Sequence, residues 1–416
     1  MNILVVSQCF YPDDFRINDI VASLVQEGHT VRVLTGLPDY ATSRVPEEYR
    51  RFRRRWEVWK GAEVIRVPTV ARRKGVFFRA LNYLSFMVWG WLYARLCKKD
   101  AEIVFSYQTS PVLQAVPAAA YHRRTGAPLV LYCCDLWPES LKAWNVGEKH
   151  PLFRLMHRVS RRIYGRADIL AVSSAPFRQY LAQVDGVQEE RMAYLPQHAE
   201  DLYSDICGQY EENNCVDFVF AGNIGAVQNV DCILRAVSLV RTDKPFHVHI
   251  VGGGSELEAC KRLAEELGVG DAVTFHGKFP LAEMKRFYRL ADCFLLTLRG
   301  GDFIGMTLPA KAQGYLCAGK PVVAAADGAA FELIREADCG EGVPAGDAQG
   351  LAAAIEKVVA QPLLYRQKGL NGRRFFEEHF TKEIFMRSLN RLFAQALEQA
   401  APPQAEKRDE QEKRPC

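Results

Sequence analysis

Short apolar runs alternate with amphipathic segments from the start of the chain. Residues 3–7 are apolar, residues 17–25 repeat apolar positions at helical spacing, and residues 30–35 form a second apolar run. Glu27-Gly28-His29 separates the last two, and a glycine just past a periodic stretch is a typical helix end. This order predicts a strand, a helix and a second strand.

The same alternation continues through most of the remaining sequence. Further strands are predicted at residues 103–106, 129–133, 169–172, 215–221, 247–251, 273–276, 293–297 and 321–325. Strands that are apolar throughout and alternate with helices are typical of parallel sheets covered on both faces. The sequence therefore predicts an α/β chain of two doubly wound, Rossmann-like domains that face a central cleft.

Chain length and one polar, acidic stretch suggest where the domains divide. A chain of 416 residues exceeds the roughly 250 to 300 residues that one core organises. The strand pattern restarts after residues 197–214, which read as a connection. The predicted order is a first domain at 1–198, a linker at 199–214, a second domain at 215–380, a helix returning to the first domain at 381–399 and a disordered tail at 400–416.

Composition excludes several other classes of protein. With 49% hydrophobic and 25% charged residues the chain is globular, and a net charge of +4 without a recognisable motif indicates no nucleic-acid partner. The 12 cysteines are scattered without metal-ligand spacing, which favours a reduced, cytoplasmic setting and no metal site. The longest apolar stretch, residues 80–94, is shorter than the roughly 20 residues of a membrane-spanning helix, so none is predicted.

Four glycine-containing loops follow predicted strands in the second half. They are Gly222-Asn223-Ile224-Gly225, Gly252-Gly253-Gly254, Phe275-His276-Gly277-Lys278-Phe279-Pro280 and residues 300–307. Because parallel strands end at one edge of a sheet, these loops should form one crevice in which backbone approaches a phosphate or ribose. Each glycine could instead serve only a tight turn. A dinucleotide fingerprint is disfavoured, since Leu257 stands where its third glycine belongs.

The last of these loops runs into a recognisable signature. Pro309-Ala310-Lys311 and Ala318-Gly319-Lys320-Pro321-Val322 resemble the donor-site signature of glycosyltransferase family 4. In the first half, residues 8–13, 28–31 and 34–40 and the segment Asp135-Leu136-Trp137-Pro138-Glu139-Ser140 look like the WbuB-type subgroup. That subgroup contains transferases of bacterial O-antigen, capsule and exopolysaccharide assembly, including N-acetyl-L-fucosamine transferases.

This resemblance carries expectations for fold and chemistry. It implies a GT-B fold and transfer of a sugar, an N-acetylated or deoxy hexose, from a UDP-sugar to a polyprenyl-diphosphate-linked saccharide. It also implies retention of the anomeric configuration, no metal ion and no cofactor besides the nucleotide-sugar donor. The expected location is peripheral, on the inner face of the plasma membrane.

The donor side departs from the family at several positions. Many members carry two glutamates that hold the donor sugar and the ribose, and the corresponding residues here are Met306 and Gly314. A second phosphate-binding lysine of the family corresponds to Gln228 or Asn229. Lys311 should therefore neutralise a larger share of the diphosphate charge. The alternative interpretation is that Lys311 is a solvated lysine on the surface of a helix.

The candidate catalytic residues are Asp135 and Lys311. Lys311 would neutralise the leaving UDP, while Asp135, at the end of a buried strand, would orient the acceptor or act as a general base. An aspartate that merely forms the turn is the alternative. The donor-binding candidates are Gly222, Asn223, Gly225, Gly252, Gly254, Lys278, Phe279, Lys311 and the loop residues Gly305, Met306 and Thr307, whose N–H groups should cap the diphosphate. The acceptor-binding candidates are Tyr11, Arg16, Asp135 and Trp137.

A basic cluster precedes an aromatic, apolar segment at residues 77–93. Its members are Arg50, Arg51, Arg53, Arg54, Arg55, Arg72, Arg73 and Lys74. Such a combination is typical of a surface that lies in the membrane interface, and burial of Phe77, Phe78, Phe86 and Trp89 is expected there. A core helix beside a solvated basic loop is the alternative.

Two other functions fit the same predicted fold. A UDP-sugar 2-epimerase would need acidic residues around the sugar, and none can be placed in the sequence. The loss of both glutamates also leaves open a catalytically degenerate scaffold protein.

Overall fold

Two parallel sheets organise the chain, one in each half. The computed structural model describes residues 1–40, 43–73, 75–144, 146–199, 201–211 and 213–400. Lys74 and residues 401–416 lie outside these ranges, so of the predicted disordered tail only Ala400 is described, where it ends a helix. The prediction of two doubly wound domains is confirmed.

The first sheet has eight strands in the order β3-β4-β2-β1-β5-β6-β7-β8, and only β3 is antiparallel to its neighbour. The strands are β1 (Asn2–Val6), β2 (Thr30–Thr35), β3 (Trp56–Trp59), β4 (Ala62–Arg66), β5 (Ile103–Gln108), β6 (Leu129–Cys133), β7 (Ile169–Val172) and β8 (Met192–Tyr194). The helices of this half are α1 (Arg16–Gln26), α2 (Val76–Leu96), α3 (Val116–Thr125), α4 (Pro151–Tyr164) and α5 (Ala175–Gln183). Val5 of β1 pairs with Val33 and with Phe105, so the most apolar strands lie at the centre.

The second sheet has six parallel strands in the order β11-β10-β9-β12-β13-β14. They are β9 (Val216–Ala221), β10 (Phe246–Val251), β11 (Val273–Gly277), β12 (Cys293–Thr297), β13 (Val322–Ala325) and β14 (Gly340–Val343). The helices are α6 (Val230–Leu239), α7 (Leu257–Glu266), α8 (Leu281–Leu290), α9 (Asp302–Gly305), α10 (Ala310–Cys317), α11 (Ala329–Glu336), α12 (Ala348–Ala360), α13 (Pro362–His379) and α14 (Lys382–Ala400). A short 3-10 helix, Asp201–Ile206, forms part of the connection between the domains.

Four strands lack the apolar run by which the others were predicted. β3 and β4 join through a tight turn and mix tryptophan, valine and isoleucine with charged residues, while β8 has three residues and β14 reads Gly-Glu-Gly-Val. The aromatic segment at residues 77–93 forms the middle of α2, a helix of 21 residues. Among the described residues, no helix is both long and apolar enough to cross a membrane.

The last helix returns to the first domain, as expected. Phe385, Leu389 and Phe393 of α14 are buried in the same core as strands β1 and β5. The Phe393 ring lies 5.6 Å from the Phe105 ring, and Lys382 Nζ lies 2.7 Å from a carboxylate oxygen of Asp19 on α1. Helix α14 therefore completes the hydrophobic core of the first domain.

We expect Phe393→Ala to destabilise the first domain by about 3 to 5 kcal/mol, because it empties a fully buried aromatic site. Hydrogen exchange of peptides from β5 and β6 and urea unfolding measure the effect. Arg391→Ala, an exposed position on the same helix, is the control and should change stability by less than about 0.5 kcal/mol. Equal effects of the two substitutions would show that α14 contributes nothing to that core.

Candidate functional site

Two adjoining cavities lie between the carboxyl ends of the two sheets. The second-domain cavity has a volume of about 530 Å³ and the first-domain cavity about 750 Å³. Both are lined by Asp14 and Arg16, which follow β1, and by Leu281 and Ala310 of the second domain. They therefore form one continuous cleft to which both domains contribute.

Glycines form the floor of the second-domain cavity because two loops approach too closely for side chains. A Cβ atom on Gly252 would lie 1.7 Å from the carbonyl oxygen of Gly222, and one on Gly254 would lie 2.2 Å from that of Ile224. Gly252 also has a φ of +148°, which side chains disfavour. Gly222, Gly252 and Asn223 line the cavity, whereas Gly225 and Gly254 shape the loops behind it.

Lys278 and Phe279 complete this cavity from the loop after β11. The aliphatic stem of Lys278 covers Gly253, where a Cβ atom would lie 2.9 Å from Lys278 Cγ. The exposed Lys278 side chain thus follows the glycine loop instead of pointing away from it. The sequence-based assignment of this loop to the crevice agrees with its position.

Lys311 places a buried amino group in the second-domain cavity. It lies in the first turn of α10, and its Nζ is buried and has no hydrogen-bond partner among the described residues. The Nζ atom lies 3.9 Å from the centre of the Phe220 ring and beside Gly222. Burial lowers the pKa of Lys311 to about 7. A buried cation without a partner is costly, so the cavity is suited to an anion.

The loop at residues 305–307 corrects the sequence-based assignment. The N–H groups of Gly305 and Thr307 donate to the carbonyl oxygens of Gly301 and Ile304, both at 3.1 Å. Met306 packs against the core of the first domain, and its carbonyl oxygen accepts a hydrogen bond from Ser174 Oγ at 2.5 Å. None of Gly305, Met306 and Thr307 lines either cavity. Met306 therefore joins the two domains, while the N–H groups of Gly305 and Thr307 are used by local hydrogen bonds at α9.

Asp135, Tyr11 and Arg16 all line the first-domain cavity, as the sequence suggested. Asp135 follows β6, and burial raises the pKa of its carboxyl group, although hydrogen bonds from Ser110 partly offset this effect. Tyr11 is 40% exposed, and its ring centre lies 5.3 Å from that of Trp59. A carboxylate and an aromatic ring therefore face the same space.

Trp137 is not a cavity residue, which is a second correction. Its side chain is buried in the first-domain core, and its indole Nε1 donates to Ser110 Oγ at 3.0 Å. Since Ser110 in turn hydrogen-bonds Asp135, Trp137 acts on that carboxyl group only through the serine. The sequence Asp-Leu-Trp-Pro does not by itself indicate which side chain faces the cavity and which is buried in the core.

Sequence reasoning also missed residues of the cleft. Tyr203 and Tyr288 line the second-domain cavity and stack with ring centres 3.7 Å apart. A Cβ atom on Gly314 would lie 3.2 Å from Tyr288 Oη and 3.6 Å from the Tyr203 ring, so the two tyrosines leave little room for a side chain at this position. Tyr203 lies in the interdomain connection, where no strand or helix pattern marks it. Trp59 and Lys60 come from the unpredicted turn between β3 and β4.

Comparison with protein families covers most of the chain. Residues 15–198 match the glycosyl transferase 4-like domain, and residues 208–375 match glycosyl transferases group 1. The chain is a glycosyltransferase of family 4. Its Rossmann-like domains and cleft are those of the GT-B fold.

Relatives of this glycosyltransferase include two from bacteria that are named for a transferase. "Probable glycosyltransferase WbjE" of Pseudomonas aeruginosa is 27% identical over 264 residues, which is 60% of this chain and 64% of the relative. "Putative colanic acid biosynthesis glycosyl transferase WcaI" of Escherichia coli K12 is 24% identical over 391 residues, or 89% of this chain and 93% of the relative. The match to a GDP-mannose-dependent mannosyltransferase of Mycolicibacterium smegmatis spans only 39% of that protein.

Solved structures support the fold of this glycosyltransferase. Sucrose-phosphate synthase from Thermosynechococcus elongatus superposes with a TM-score of 0.74 at 18% identity, covering 96% of this chain and 100% of that one. Anabaena HepE, solved in complex with UDP and glucose, gives a TM-score of 0.70 at 15% identity, with coverage of 95% and 100%. Identity this low establishes the common fold alone.

We expect Lys311→Met to stabilise the ligand-free protein at pH 6 to 7, because it removes an uncompensated buried charge. The folded-state pKa of about 7 lies below the unfolded value of about 10.4, so the wild type gains stability as pH rises between them, by at most about 1.4 kcal/mol per pH unit. The advantage of the variant should therefore shrink towards pH 9. Thermal melting of both proteins from pH 6 to 9 measures this, and parallel curves would contradict it.

Proposed function

We propose that this protein transfers a sugar, an N-acetylated or deoxy hexose, from a UDP-sugar to a polyprenyl-diphosphate-linked saccharide in bacterial surface polysaccharide synthesis. The buried ammonium of Lys311, which has no hydrogen-bond partner among the described residues and lies beside a glycine floor, is the observation that carries the proposal. The name of WcaI supports the process, the name of WbjE supports sugar transfer, and the complex of HepE with UDP supports the nucleotide.

In the proposed reaction the second-domain cavity holds the nucleotide diphosphate. The loops of Gly222 and Gly252 allow the ligand to approach the backbone, and Lys311 Nζ neutralises the charge that develops as the sugar–phosphate bond breaks. Arg16 lines both cavities and thus lies where the donor and acceptor sides meet. Retention of configuration is part of the proposal and rests on the family resemblance.

The acceptor would approach through the first-domain cavity. Asp135 has a raised pKa, which makes its carboxylate a better base than an exposed aspartate, and it faces the same space as Tyr11. In this role Asp135 orients the acceptor hydroxyl or removes its proton. Trp137 contributes only by fixing Ser110 beside that carboxyl group.

The transfer is tested by mass spectrometry of an undecaprenyl-diphosphate-linked sugar incubated with a panel of UDP- and GDP-sugars. Lys311→Ala should lower kcat by about 10²- to 10³-fold, as expected when a transition-state cation is lost. Asp135→Asn should lower kcat while leaving UDP affinity unchanged, because it lies on the acceptor side. Lys261→Ala, a surface lysine of α7 paired only with Glu258, is the matched control.

Other outcomes of this assay would overturn the proposal. Conversion of the UDP-sugar without acceptor would indicate an epimerase, and UDP binding without turnover on any acceptor would indicate a scaffold. Normal turnover by Lys311→Ala would remove Lys311 from the mechanism.

We also propose that the first domain lies on the cytoplasmic membrane surface through α2. One face of this helix is buried, with Phe86 fully enclosed and Gly90 so close to Pro117 that a Cβ atom would lie 2.6 Å away. Phe86 therefore cannot insert into lipid, contrary to the sequence-based expectation. Trp89 and Phe77 are exposed, as the sequence-based expectation requires. Away from the buried face the helix exposes a stripe of large apolar side chains, Phe77, Leu84, Val88, Trp89, Trp91, Leu92 and Leu96.

Flotation with liposomes that contain anionic lipid tests this surface. The wild type should float at low salt and partly in 1 M salt, since apolar burial resists screening. Substituting Leu84, Val88 and Leu92 together by Gln should reduce the floating fraction several-fold. The control replaces Leu363, Leu364 and Leu370, leucines of α13 that are at least as exposed in total, by Gln. A wild type that stays soluble, or equal losses in both variants, would contradict the membrane role of α2.

A further inference from the structure

A third cavity, of about 730 Å³, lies in the first domain and shares no lining residue with the cleft. Four of its lining residues are arginines, Arg44, Arg50, Arg51 and Arg73, and none of its described lining residues is acidic. We call it the arginine cavity. Neither the donor site nor the acceptor residues described above account for it.

The floor of the arginine cavity is formed by residues that follow two strands of the first sheet. Leu37 and Thr69 follow β2 and β4, and the Leu37 N–H donates to Thr69 Oγ1 at 3.1 Å, which ties the two strand ends together. Tyr49, only 1% exposed, anchors the 3-10 segment that carries Arg50 and Arg51, and its ring lies 4.8 Å from the guanidinium of Arg66. The arginines thus border a concave surface whose floor belongs to the sheet edge.

The backbone at Arg51 is strained in a way that favours this arrangement. Its φ is +52°, a left-handed conformation that residues with a side chain disfavour. Such strain persists only where surrounding structure holds it, and it often occurs at binding sites. Here it lies in the middle of the arginine group.

Charge indicates the class of ligand. Four arginines line one concave space that has no acidic residue among its described lining residues, so the charge of the cavity favours a bound anion. Arginine pairs with phosphate through two parallel hydrogen bonds, so several arginines around one cavity are suited to a phosphate ester. The volume exceeds what a single phosphate needs, which leaves room for a second phosphoryl group and the start of an attached chain.

The position of the cavity indicates what is attached to the phosphate. Arg73 lies three residues before α2, and its guanidinium lies 5.3 Å from the ring of Phe78 in the first turn of that helix. The Phe78 ring in turn lies 5.7 Å from the ring of the exposed Phe77, so one side of the cavity adjoins the start of α2. The neighbouring residue, Arg72, lies 4.4 Å from the Tyr40 ring, and that ring packs at 4.8 Å on Phe15, which lines the cleft. Direct contacts therefore connect the border of the arginine cavity both to the start of α2 and to the cleft.

We propose that the arginine cavity binds the diphosphate of a lipid-linked acceptor, with the lipid chain along α2 and the sugar directed towards Asp135. The assignment rests on the proposed function for the existence of such an acceptor. It adds the residues that would recognise the diphosphate. The shared chemistry is a diphosphate ester of a long apolar chain, as distinct from free diphosphate or an ordinary phospholipid headgroup.

The test is calorimetric titration of the full chain with farnesyl diphosphate while UDP saturates the Lys311 side. Arg44→Gln, Arg51→Gln and Arg73→Gln in one chain should weaken binding by more than about tenfold, since each lost charge-assisted hydrogen bond costs roughly that much. The control, Arg53→Gln, Lys98→Gln and Lys99→Gln, removes the same charge from exposed positions outside every cavity described here and should change affinity by less than about threefold. Arg51→Gln alone gives a milder variant if the triple one folds poorly.

Each alternative has its own signature. Equal weakening in both triple variants would reduce the cavity to a general basic surface, and inorganic pyrophosphate binding as tightly as farnesyl diphosphate would show a free-diphosphate site. Phosphatidylglycerol vesicles that displace farnesyl diphosphate would show a headgroup site. Any of these overturns the proposal, as does a wild type that binds UDP but no farnesyl diphosphate. Failure to bind UDP would count against the donor assignment instead, because the two titrations are separate.

Discussion

An uncompensated positive charge on Lys311 is the constraint around which the cleft is arranged. The Lys311 ammonium lies beside Gly222, where two glycine loops bring the backbone close together, and the centre of the Phe220 ring lies 3.9 Å from its Nζ atom. A ring face compensates a buried cation only partly, so an anionic ligand gains more at this position than it would at a solvated lysine.

The charge acts in a cleft that exists only because the domains are held together. Ser174 of the first domain donates to the carbonyl oxygen of Met306 in the second, and α14 leaves the second domain to fill the core of the first. Residues that the sequence assigned to the ligand therefore serve the interface. Contacts of this kind fix the distance between Asp135 and Lys311, on which any transfer between two bound substrates depends.

The three cavities described above differ in the chemistry of the residues that line them. The second-domain cavity offers a cation and backbone, the first-domain cavity offers a carboxyl group and aromatic rings, and the arginine cavity offers four positive charges next to an apolar helix. All of them lie beyond the carboxyl ends of strands, because a parallel sheet directs its loops to one edge. The same edge of the first sheet can thus serve both a sugar and the group that carries it.

The sequence by itself determined the architecture and placed three of the four glycine loops at the second-domain cavity. Apolar strands alternating with helices require parallel sheets, and glycines at strand ends with Lys311 in the next signature predicted the second-domain cavity. Strands β3 and β4 were missed because charged residues interrupt their apolar pattern, and the cleft residues Trp59 and Lys60 were missed with them.

Only the tertiary structure decided which side chains face which space. Trp137 and Met306 stand in family motifs yet are buried in the first-domain core or against it, and Phe86 lies in an apolar helix yet faces inwards. Tyr203 occupies the position facing Gly314 although nothing local marks it. The physical reason is that the spacing of apolar residues shows which residues of a helix or strand are buried. The direction of a side chain in a loop depends instead on contacts with residues far away in the chain.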